Sequence, residues 1–316
     1  MSAKANALKI KENIGKVIIG KEDVIELVLN SLINNGHILL ESVPGTGKTM
    51  LAKSFAKSIS GDFKRIQFTP DVLPSDITGI QFFNPKVQEF QLRPGPVMTN
   101  ILLADEINRA TPRTQSSLLE VMEERQVTID GETLKLPSPF VVIATQNPIE
   151  SQQGTFQLPE AQMDRFFIQI DLGYPSFVEE KQMMRTYRKS NPIEGILEVL
   201  SKEEIQEMQV QVQNVSLSED VEDYLLRIVH ETRKHPDVEV GVSPRGTLAL
   251  MKAAQGKAYL EGRMFVTPED IKFMAPYVIS HRLVLTMEGS LKKTNRQVIL
   301  ELLGAVSVPV EAGAVR

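Results

Sequence analysis

A glycine-rich turn between an apolar run and a helical stretch constrains this chain more than any other feature. The run Gly36–Glu41 (GHILLE) predicts a buried strand, and the letters ESVPGTGKT occupy residues 41–49. A turn of this composition that ends in Lys-Thr, after a strand and before a helix, is typical of a phosphate-binding loop. Such loops belong to α/β proteins with a parallel sheet, so the turn predicts a fold class and a nucleotide ligand together.

The residues of this turn, a Walker A motif, have separate expected roles. Gly45 and Gly47 allow backbone N–H groups to face a phosphate, and the helix N-terminus adds partial positive charge. Lys48 is expected to reach the β- and γ-phosphates, and the Thr49 hydroxyl to bind Mg²⁺. Ser42 departs from the usual glycine and can loosen nucleotide affinity. The predicted nucleotide-binding residues here are Val43, Pro44, Gly45, Thr46, Gly47, Lys48, Thr49 and Met50.

A second apolar run ends in two adjacent carboxylates, as a Walker B motif does. Residues 101–106 are ILLADE. In P-loop proteins the first carboxylate holds the metal and the second faces the attacking water. Asp105 is therefore an expected Mg²⁺ ligand with Thr49, and Glu106 is the expected general base or water-positioning residue. Adjacent carboxylates also occur on solvated turns, but their combination with a P-loop favours catalysis.

A third apolar run ends in a neutral amide. The letters ATQNP occupy residues 144–148, so Asn147 lies where ligands of open α/β sheets collect. Its amide can hydrogen-bond both a water molecule and a γ-phosphate. The alternative is a turn-forming asparagine before a proline.

The order of elements predicts an α/β nucleotide-binding domain over residues 1–175, with a five-stranded parallel sheet and helices on both faces. Its expected strands are Gly36–Glu41, Phe63–Thr69, Asn100–Asp105, Phe140–Thr145 and Phe167–Asp171. Residues 176–316 predict a smaller, all-helical lid domain. Its clearest expected helices are Ser218–Lys234, Pro244–Glu261 and Thr267–Leu283.

Two stretches interrupt the alternation of strands and helices. Ile80–Val97 contains an Arg-Pro-Gly-Pro turn, and Val127–Leu136 contains an Asp-Gly pair. Both are expected to be β-hairpins that project from the core. They can serve only to cap sheet edges, although Phe82, Phe83 and Phe90 of the first hairpin can also contact another protein.

Composition excludes several classes of function. The 316 residues contain no cysteine, which excludes disulfides, thiol nucleophiles and cysteine-bound zinc. The four histidines lack the spacing of a zinc-protease motif. No run approaches the ~18 apolar residues of a membrane helix, and no secretory signal is evident, so we expect a cytoplasmic protein. The net charge of −5 argues against nucleic-acid binding without a local basic patch.

Several long strings resemble the AAA+ superfamily and, within it, the MoxR family. They are ESVPGTGKT, LLADEINRATPRTQSSLLEVMEE, ATQNPIE, GTFQLPEAQMDRFF and SPRGTLAL, and they are distributed over most of the chain. Generic P-loop proteins lack the INRA continuation and the LPEAQ-DRF segment. The resemblance implies a ring-forming ATPase, usually hexameric, with active sites between subunits and with ATP/ADP and Mg²⁺ as ligands.

The resemblance also implies roles for residues outside the Walker motifs. Arg165 resembles the arginine finger offered to a neighbour, and Arg245 resembles the sensor-2 arginine of the lid. Ile18, Ile19 and Gly20 resemble the segment that packs against adenine. The stretch near 80–97 resembles the helix-2 insert, which lines or caps the ring pore.

Two further arginines are candidates for a catalytic role. Arg109 and Arg113 face an interface in related rings, and either could share the role of Arg165 or be a plain surface charge.

The resemblance suggests a motor or chaperone that remodels or matures partner proteins, often with a von Willebrand A-domain partner. Three alternatives stay open at this point: an ATP-gated binding scaffold, a DNA-acting motor, and a motor subunit of a metal chelatase.

Overall fold

A computed structural model of the protein describes residues 3–41, 43, 45–147, 154–188 and 191–309. The strands are β1 (Ile38–Glu41), β2 (Phe63–Gln67), β3 (Gly79–Asn84), β4 (Glu89–Pro94), β5 (Ile101–Asp105), β6 (Gln126–Ile129), β7 (Glu132–Lys135), β8 (Val141–Gln146), β9 (Ile168–Asp171), β10 (Val238–Val240) and β11 (Val284–Leu285). In chain order, the helices of the first 190 residues are α1 (Ala3–Gly15), α2 (Glu22–Ile33), α3 (Lys48–Ser58), α4 (Pro74–Thr78), α5 (Pro112–Glu124), α6 (Glu160–Met163) and α7 (Phe177–Tyr187). The later helices are α8 (Lys202–Gln211), α9 (Glu219–Thr232), α10 (Pro244–Leu260), α11 (Pro268–Val278), α12 (Met287–Lys292) and α13 (Asn295–Ala305).

The five predicted strands form one parallel sheet in the order β2-β5-β8-β1-β9, which confirms the predicted fold class. Successive residues of a strand point to opposite faces, and in the central strands β1, β5 and β8 both faces are buried and almost entirely apolar. Leu103 faces the same core as α1, α2, α3 and the C-terminal helices, whereas Leu102 faces a second core beneath α5. Because these strands have no polar side, helices must cover both faces of the sheet.

The C-terminal region is helical, as predicted. The three helices expected there are α9, α10 and α11, and the third ends in a 3₁₀ turn at Ser280–Arg282. Ser243 is the N-cap of α10, and its Oγ accepts a hydrogen bond of 3.1 Å from Gly246 N–H. The region also contains a short antiparallel ribbon, β10–β11, which the sequence did not predict. Because α1 and α2 pack against α10, the domain boundary near residue 175 stays a prediction.

Both predicted hairpins are present. Strands β3 and β4 pair from Gly79–Pro94 to Asn84–Glu89, and the rings of Phe83 and Phe90 meet edge to face with centroids 5.5 Å apart. Strands β6 and β7 turn at Asp130 and Gly131, whose φ angles of 48° and 88° suit the two-residue turn of a tight hairpin. Within the described ranges, no helix is both long and apolar enough to cross a membrane.

Candidate functional site

The glycine-rich turn leads from β1 into α3 in the way that a phosphate-binding loop requires. Gly45 and Gly47 have φ angles of 86° and 90°, a backbone region that glycine adopts without steric penalty. Thr46 Oγ1 donates a 3.0 Å hydrogen bond to the carbonyl oxygen of Val43 and so braces the turn. Helix α3 begins at Lys48, and its first N–H groups are available to an anion.

The remaining residues predicted for the loop lie in or beside the first turn of α3. Thr49 and Met50 follow Lys48 there, and both are half-buried. Ser42 and Pro44 lie outside the described residues.

The ends of β1, β5 and β8 bring the predicted catalytic groups together at the carboxyl edge of the sheet. Lys48 Nζ lies 3.9 Å from Asp105 Oδ1, and their side chains are only 11% and 8% exposed. Thr145, at the end of β8, donates a 2.6 Å hydrogen bond from its hydroxyl to the same Asp105 oxygen. A cation and an anion this well shielded from water interact more strongly than a surface pair.

Glu106 leaves β5 in a left-handed conformation, with φ 59° and ψ 50°. Its N–H donates to Thr145 Oγ1 at 2.9 Å, which fixes the turn at the strand end. Its carboxylate oxygen Oε2 accepts from Gln67 Nε2 at 2.8 Å and lies 3.2 Å from Arg109 Nε. A residue other than glycine rarely adopts the left-handed backbone conformation, and it persists there only where the surrounding structure holds it in place. The backbone thus turns the Glu106 side chain out of the sheet and into the site.

Two residues of β2 belong to this site and were missed in the sequence analysis. Arg65 binds Asp105 Oδ2 through Nη2 at 2.6 Å, and Gln67 binds Glu106. The signal for them is their spacing: residues two apart on a strand face the same side, and β2 ends at the same edge as β5. The two side chains therefore hold the two adjacent carboxylates separately.

Asn147 and Gly20 both lie near this edge, since Gly20 lines a cavity together with Asp171, the last residue of β9. Asn147 directly follows β8 and is buried. Ile19 lies in the loop that joins α1 to α2 and is buried. Gly20, with φ 73°, packs against Glu179 at the start of α7.

Helix α7 also borders the glycine-rich turn. A cavity of about 420 Å³ separates them, and it is lined by Gly45, Thr46, Tyr174, Pro175, Glu180, Met183 and Met184. Its methionine and tyrosine side chains offer an apolar surface beside the phosphate loop, as a nucleotide base requires.

The other two predicted arginines lie at the opposite, amino edge of the sheet. Arg165 precedes β9, and the neighbouring Phe167 donates its N–H to the carbonyl oxygen of His37 just before β1, at 2.8 Å. Arg165 Nε lies 3.3 Å from Glu123 Oε2 at the end of α5. Arg245 of α10 forms an ion pair with the other oxygen of Glu123. One carboxylate therefore joins the two arginines.

A cavity of about 570 Å³ opens beside this pair. It is lined by Asn34, Asn35, Gly36, His37, Met122, Glu123, Arg125, Asp164, Arg165, Phe167, Pro244, Arg245, Leu248, Ala249, Lys252 and Arg282. Cations outnumber carboxylates among these residues, so the cavity favours an anion.

The predicted site residues thus fall into two groups. Lys48 and Asp105 meet at the carboxyl edge, whereas Arg165 and Arg245 meet at the amino edge. The two edges are separated by at least the length of β1, which is roughly 10 Å at ~3.3 Å per residue. Arg109 lies with the first group through Glu106, and Arg113 is an exposed residue in the first turn of α5.

Comparisons with known proteins agree with this architecture. A family model described as ATPase family associated with various cellular activities (AAA) matches residues 37–168, and an AAA lid domain model matches residues 230–302. The chain is 52% identical to the uncharacterized protein YeaC of Bacillus subtilis, over 98% of this chain and 96% of that protein. It is 41% identical to Chaperone MoxR1 of Mycobacterium tuberculosis, over 93% of this chain and 80% of that protein.

A solved structure is similar over the same extent. The crystal structure of a candidate ATPase from Cytophaga hutchinsonii superimposes with a TM-score of 0.90 at 37% sequence identity. The similarity covers 98% of this chain and 96% of the other. Both the sheet and the helical region are therefore included in the match.

Proposed function

The chain belongs to the MoxR family of AAA+ ATPases, and on that basis we propose that it hydrolyses ATP with Mg²⁺ at a site completed by a second subunit. The observation that carries this proposal is the buried contact of 3.9 Å between Lys48 Nζ and Asp105 Oδ1. This contact supports the proposed roles of Lys48 as the phosphate-binding cation and of Asp105 as the metal-binding carboxylate, because the two side chains meet beside the glycine-rich loop. ATP and ADP are the ligands that this arrangement suits.

The oxygen donors at this position fit Mg²⁺. The Thr49 hydroxyl and the Asp105 carboxylate are hard ligands, and Mg²⁺ takes one or two carboxylates together with phosphate oxygens and water. When bound, the ion neutralises charge on the phosphates during transfer. Thr145 contributes indirectly, because its hydroxyl holds Asp105 Oδ1 in a fixed orientation.

Glu106 and Asn147 would act on the attacking water. Glu106 accepts its proton or orients it, and Gln67 and Arg109 hold the Glu106 carboxylate at the mouth of the site. Asn147 donates from its amide to the γ-phosphate and accepts from the water. Lys48 stabilises the charge that develops on the phosphate oxygens.

The positions of Arg165 and Arg245 support a site shared between subunits. Both lie at the amino edge of the sheet, across the strands from the glycine-rich loop of the same chain. A neighbouring subunit in a ring can place these arginines on the γ-phosphate, where a cation that arrives with assembly accelerates transfer by about 10³–10⁵-fold. Arg245 then serves the nucleotide of the neighbour, and the ring is the catalytic unit, for which a hexamer is our proposal.

We further propose that the ring remodels or matures a partner protein in the cytoplasm. The name of the relative Chaperone MoxR1 supports such an activity. The hairpin β3–β4 projects exposed aromatic residues, among which Phe90 is 69% exposed, and these side chains can contact a client. A von Willebrand A-domain protein is the proposed partner class.

Steady-state ATP hydrolysis over a wide range of protein concentration tests the proposal, with Glu106→Gln as the blank. We expect specific activity to rise with protein concentration and to fall by about 10²–10⁴-fold in the variant. The Glu106→Gln variant should still bind a fluorescent ATP analogue. Activity that is independent of concentration would place the completing arginine in the same subunit. Activity equal to the blank would favour a nucleotide-gated scaffold.

A further inference from the structure

We propose that Arg282 is a positioning residue that docks the Arg165 segment onto helix α10, so that Arg165 and Arg245 are presented to a neighbouring subunit as one rigid unit. The inference rests on the proposed function, because it assumes that these two arginines act on the nucleotide of a neighbour. Arg282 itself lies inside the molecule and acts through Arg165.

Arg282 is a buried arginine whose donors are directed at the turn that carries Arg165. Its side chain is 2% exposed, and its Nε lies 2.7 Å from Asp164 Oδ1. Its Nη2 donates to the carbonyl oxygens of Phe166 at 2.6 Å and Asp164 at 3.2 Å, and its Nη1 to that of Phe167 at 3.3 Å. The guanidinium therefore binds the backbone on both sides of Arg165, and no rotation of that turn is possible without breaking several of these bonds.

Asp164 connects the same turn to the start of α10. Its second carboxylate oxygen, Oδ2, accepts a 2.9 Å hydrogen bond from Ser243 Oγ. Ser243 is the N-cap of α10, and Arg245 lies in the first turn of that helix. A single carboxylate therefore links the Arg165 turn, the Arg245 helix and Arg282.

The charge state supports this geometry. Burial is the main cause that lowers the pKa of Arg282 to about 10, and the Asp164 carboxylate opposes that effect, so the guanidinium stays protonated at neutral pH. Burying an ion pair is costly, and apolar side chains of similar volume often stabilise a core as well or better. The fork of donors that arginine offers to a carboxylate and to consecutive carbonyl groups instead fixes the orientation of a turn.

The test uses mixtures of subunits with complementary defects. Arg282→Gln and Arg165→Ala subunits keep an intact nucleotide site, whereas Glu106→Gln subunits keep intact arginines but lack the base. We expect Arg282→Gln alone to lose about 10²-fold in kcat, because a displacement of about 1 Å can have that effect. Its Kd for a fluorescent ATP analogue should change less than twofold. Excess Glu106→Gln subunits should restore activity to Arg282→Gln subunits, as to Arg165→Ala subunits.

Arg263→Gln is the matched control. Arg263 forms a paired arginine–aspartate contact of 2.7 Å with the buried Asp270, in the same helical region but away from Arg165. The Arg263→Gln variant should have a lower thermal stability. Any loss of kcat that it shows should not be restored by added Glu106→Gln subunits. If Arg282→Gln does not fold, Arg282→Lys and Ser243→Ala replace it, since each removes only part of the same network. Activity that added Glu106→Gln subunits restore supports the inference. A loss of kcat that these subunits do not restore overturns it.

The outcomes separate the inference from the proposed function. If Arg165→Ala is not restored by Glu106→Gln subunits, the shared site itself is wrong, and the inference is lost with it. If Arg165→Ala is restored, the inference alone is overturned by either of two results for the Arg282 variants. One is a wild-type kcat, and the other is a loss of kcat that no mixture restores.

Discussion

Arg65 Nη2 lies 2.6 Å, and its Nε 3.2 Å, from Asp105 Oδ2, so a cation from β2 binds the carboxylate that we assign to the metal. The Arg65 side chain is 46% exposed, which allows it to move aside. Because the pair is partly solvated, it contributes only a modest free energy. Arg65 is thus placed to compete with a metal ion for Asp105.

Arg65→Gln is expected to lower the Mg²⁺ concentration for half-maximal binding of a fluorescent ATP analogue by about two- to fivefold. The upper end of this range corresponds to ~1 kcal/mol, the upper value for an exposed ion pair. A Mg²⁺ titration at fixed analogue measures it. Lys64→Gln, at the neighbouring exposed position of β2, is the control and should leave the midpoint unchanged. A higher Mg²⁺ requirement in Arg65→Gln would show that Arg65 supports metal binding instead.

Glu123→Gln is expected to lower the protein concentration at which specific ATPase activity is half-maximal. Glu123 binds both Arg165 and Arg245, so it competes with an incoming nucleotide for their charge. The effect should be severalfold, strongest at low ionic strength, because these side chains are partly exposed. Glu124→Gln, the adjacent exposed carboxylate, is the control. A shift to higher concentration would mean that Glu123 orients the arginines for catalysis.

His37 is expected to make the protein sensitive to mild acid. Val142 N–H donates to His37 Nδ1 at 3.0 Å, so the neutral ring donates from Nε2 to Met122 O. Burial, followed by the charge of Arg125, lowers the pKa of His37 to about 3 from 6.5. Between these two values the unfolded chain binds a proton that the folded chain does not. Stability is therefore fully present above about pH 6.5 and is lost as the pH falls, by about 2 kcal/mol at pH 5 from this residue.

Urea unfolding at pH 7.5 and pH 5 measures the effect. His37→Asn should lose about 2 kcal/mol less than the native chain between these two pH values. His230→Asn, at an exposed position of α9, is the control and should follow the native chain. Burial and the neighbouring Arg282 also hold the pKa of His281 well below its usual value, so part of the acid sensitivity should persist in His37→Asn. If His37→Asn loses as much stability between pH 7.5 and pH 5 as the native chain, His37 is not a source of the acid sensitivity.

Gly256→Ala is expected to destabilise the contact between α2 and α10. A Cβ at Gly256 would lie 2.3 Å from Asn30 Oδ1 and 2.5 Å from Asn34 Nδ2. The Asn30 amide already donates to Ala253 O at 2.9 Å, so it is not free to move away. Overpacking of this kind costs about 1–3 kcal/mol, which equals or exceeds the gain of about 1 kcal/mol from replacing glycine in a helix.

Thermal unfolding measures the change, with Gly304→Ala as the control. Gly304 lies in α13, and a Cβ there would meet no atom within 4 Å. That substitution should raise stability by up to about 1 kcal/mol through helix propensity alone. A rise in the unfolding temperature of Gly256→Ala would show that α2 and α10 can move apart without a loss of stability.

Local patterns were sufficient to predict the sheet, the hairpins and the glycine-rich loop. An apolar run such as Ile101–Asp105 can be buried on both faces only within a parallel sheet covered by helices. Turn chemistry at Asp130-Gly131 predicted a hairpin, because few residues adopt positive φ angles. The meeting of Lys48 and Asp105 followed from the same logic, since parallel strands end at one edge. Each of these inferences depends either on the local preferences of consecutive residues or on the rule that parallel strands end at one edge of the sheet.

Contacts between distant segments were not accessible in that way. Arg65 and Gln67 lie on β2, and only the strand order places them on the carboxylates of β5. The family resemblance indicated Arg245 as a nucleotide ligand, but only the ion pairs of both arginines with Glu123, at the end of α5, place Arg245 beside Arg165 at the amino edge.

The buried contact of Arg282 with Asp164 joins residues 118 apart in sequence. Hydrophobic periodicity and turn residues report on short-range geometry, whereas such a contact depends on how whole helices dock. The chain sequence alone therefore determines the elements and the nucleotide-binding edge, and the docking of the helical region determines which arginines stand together. The reason is physical: strand and turn preferences are local, but burial of a charged side chain is stable only where the folded chain supplies all its partners at once.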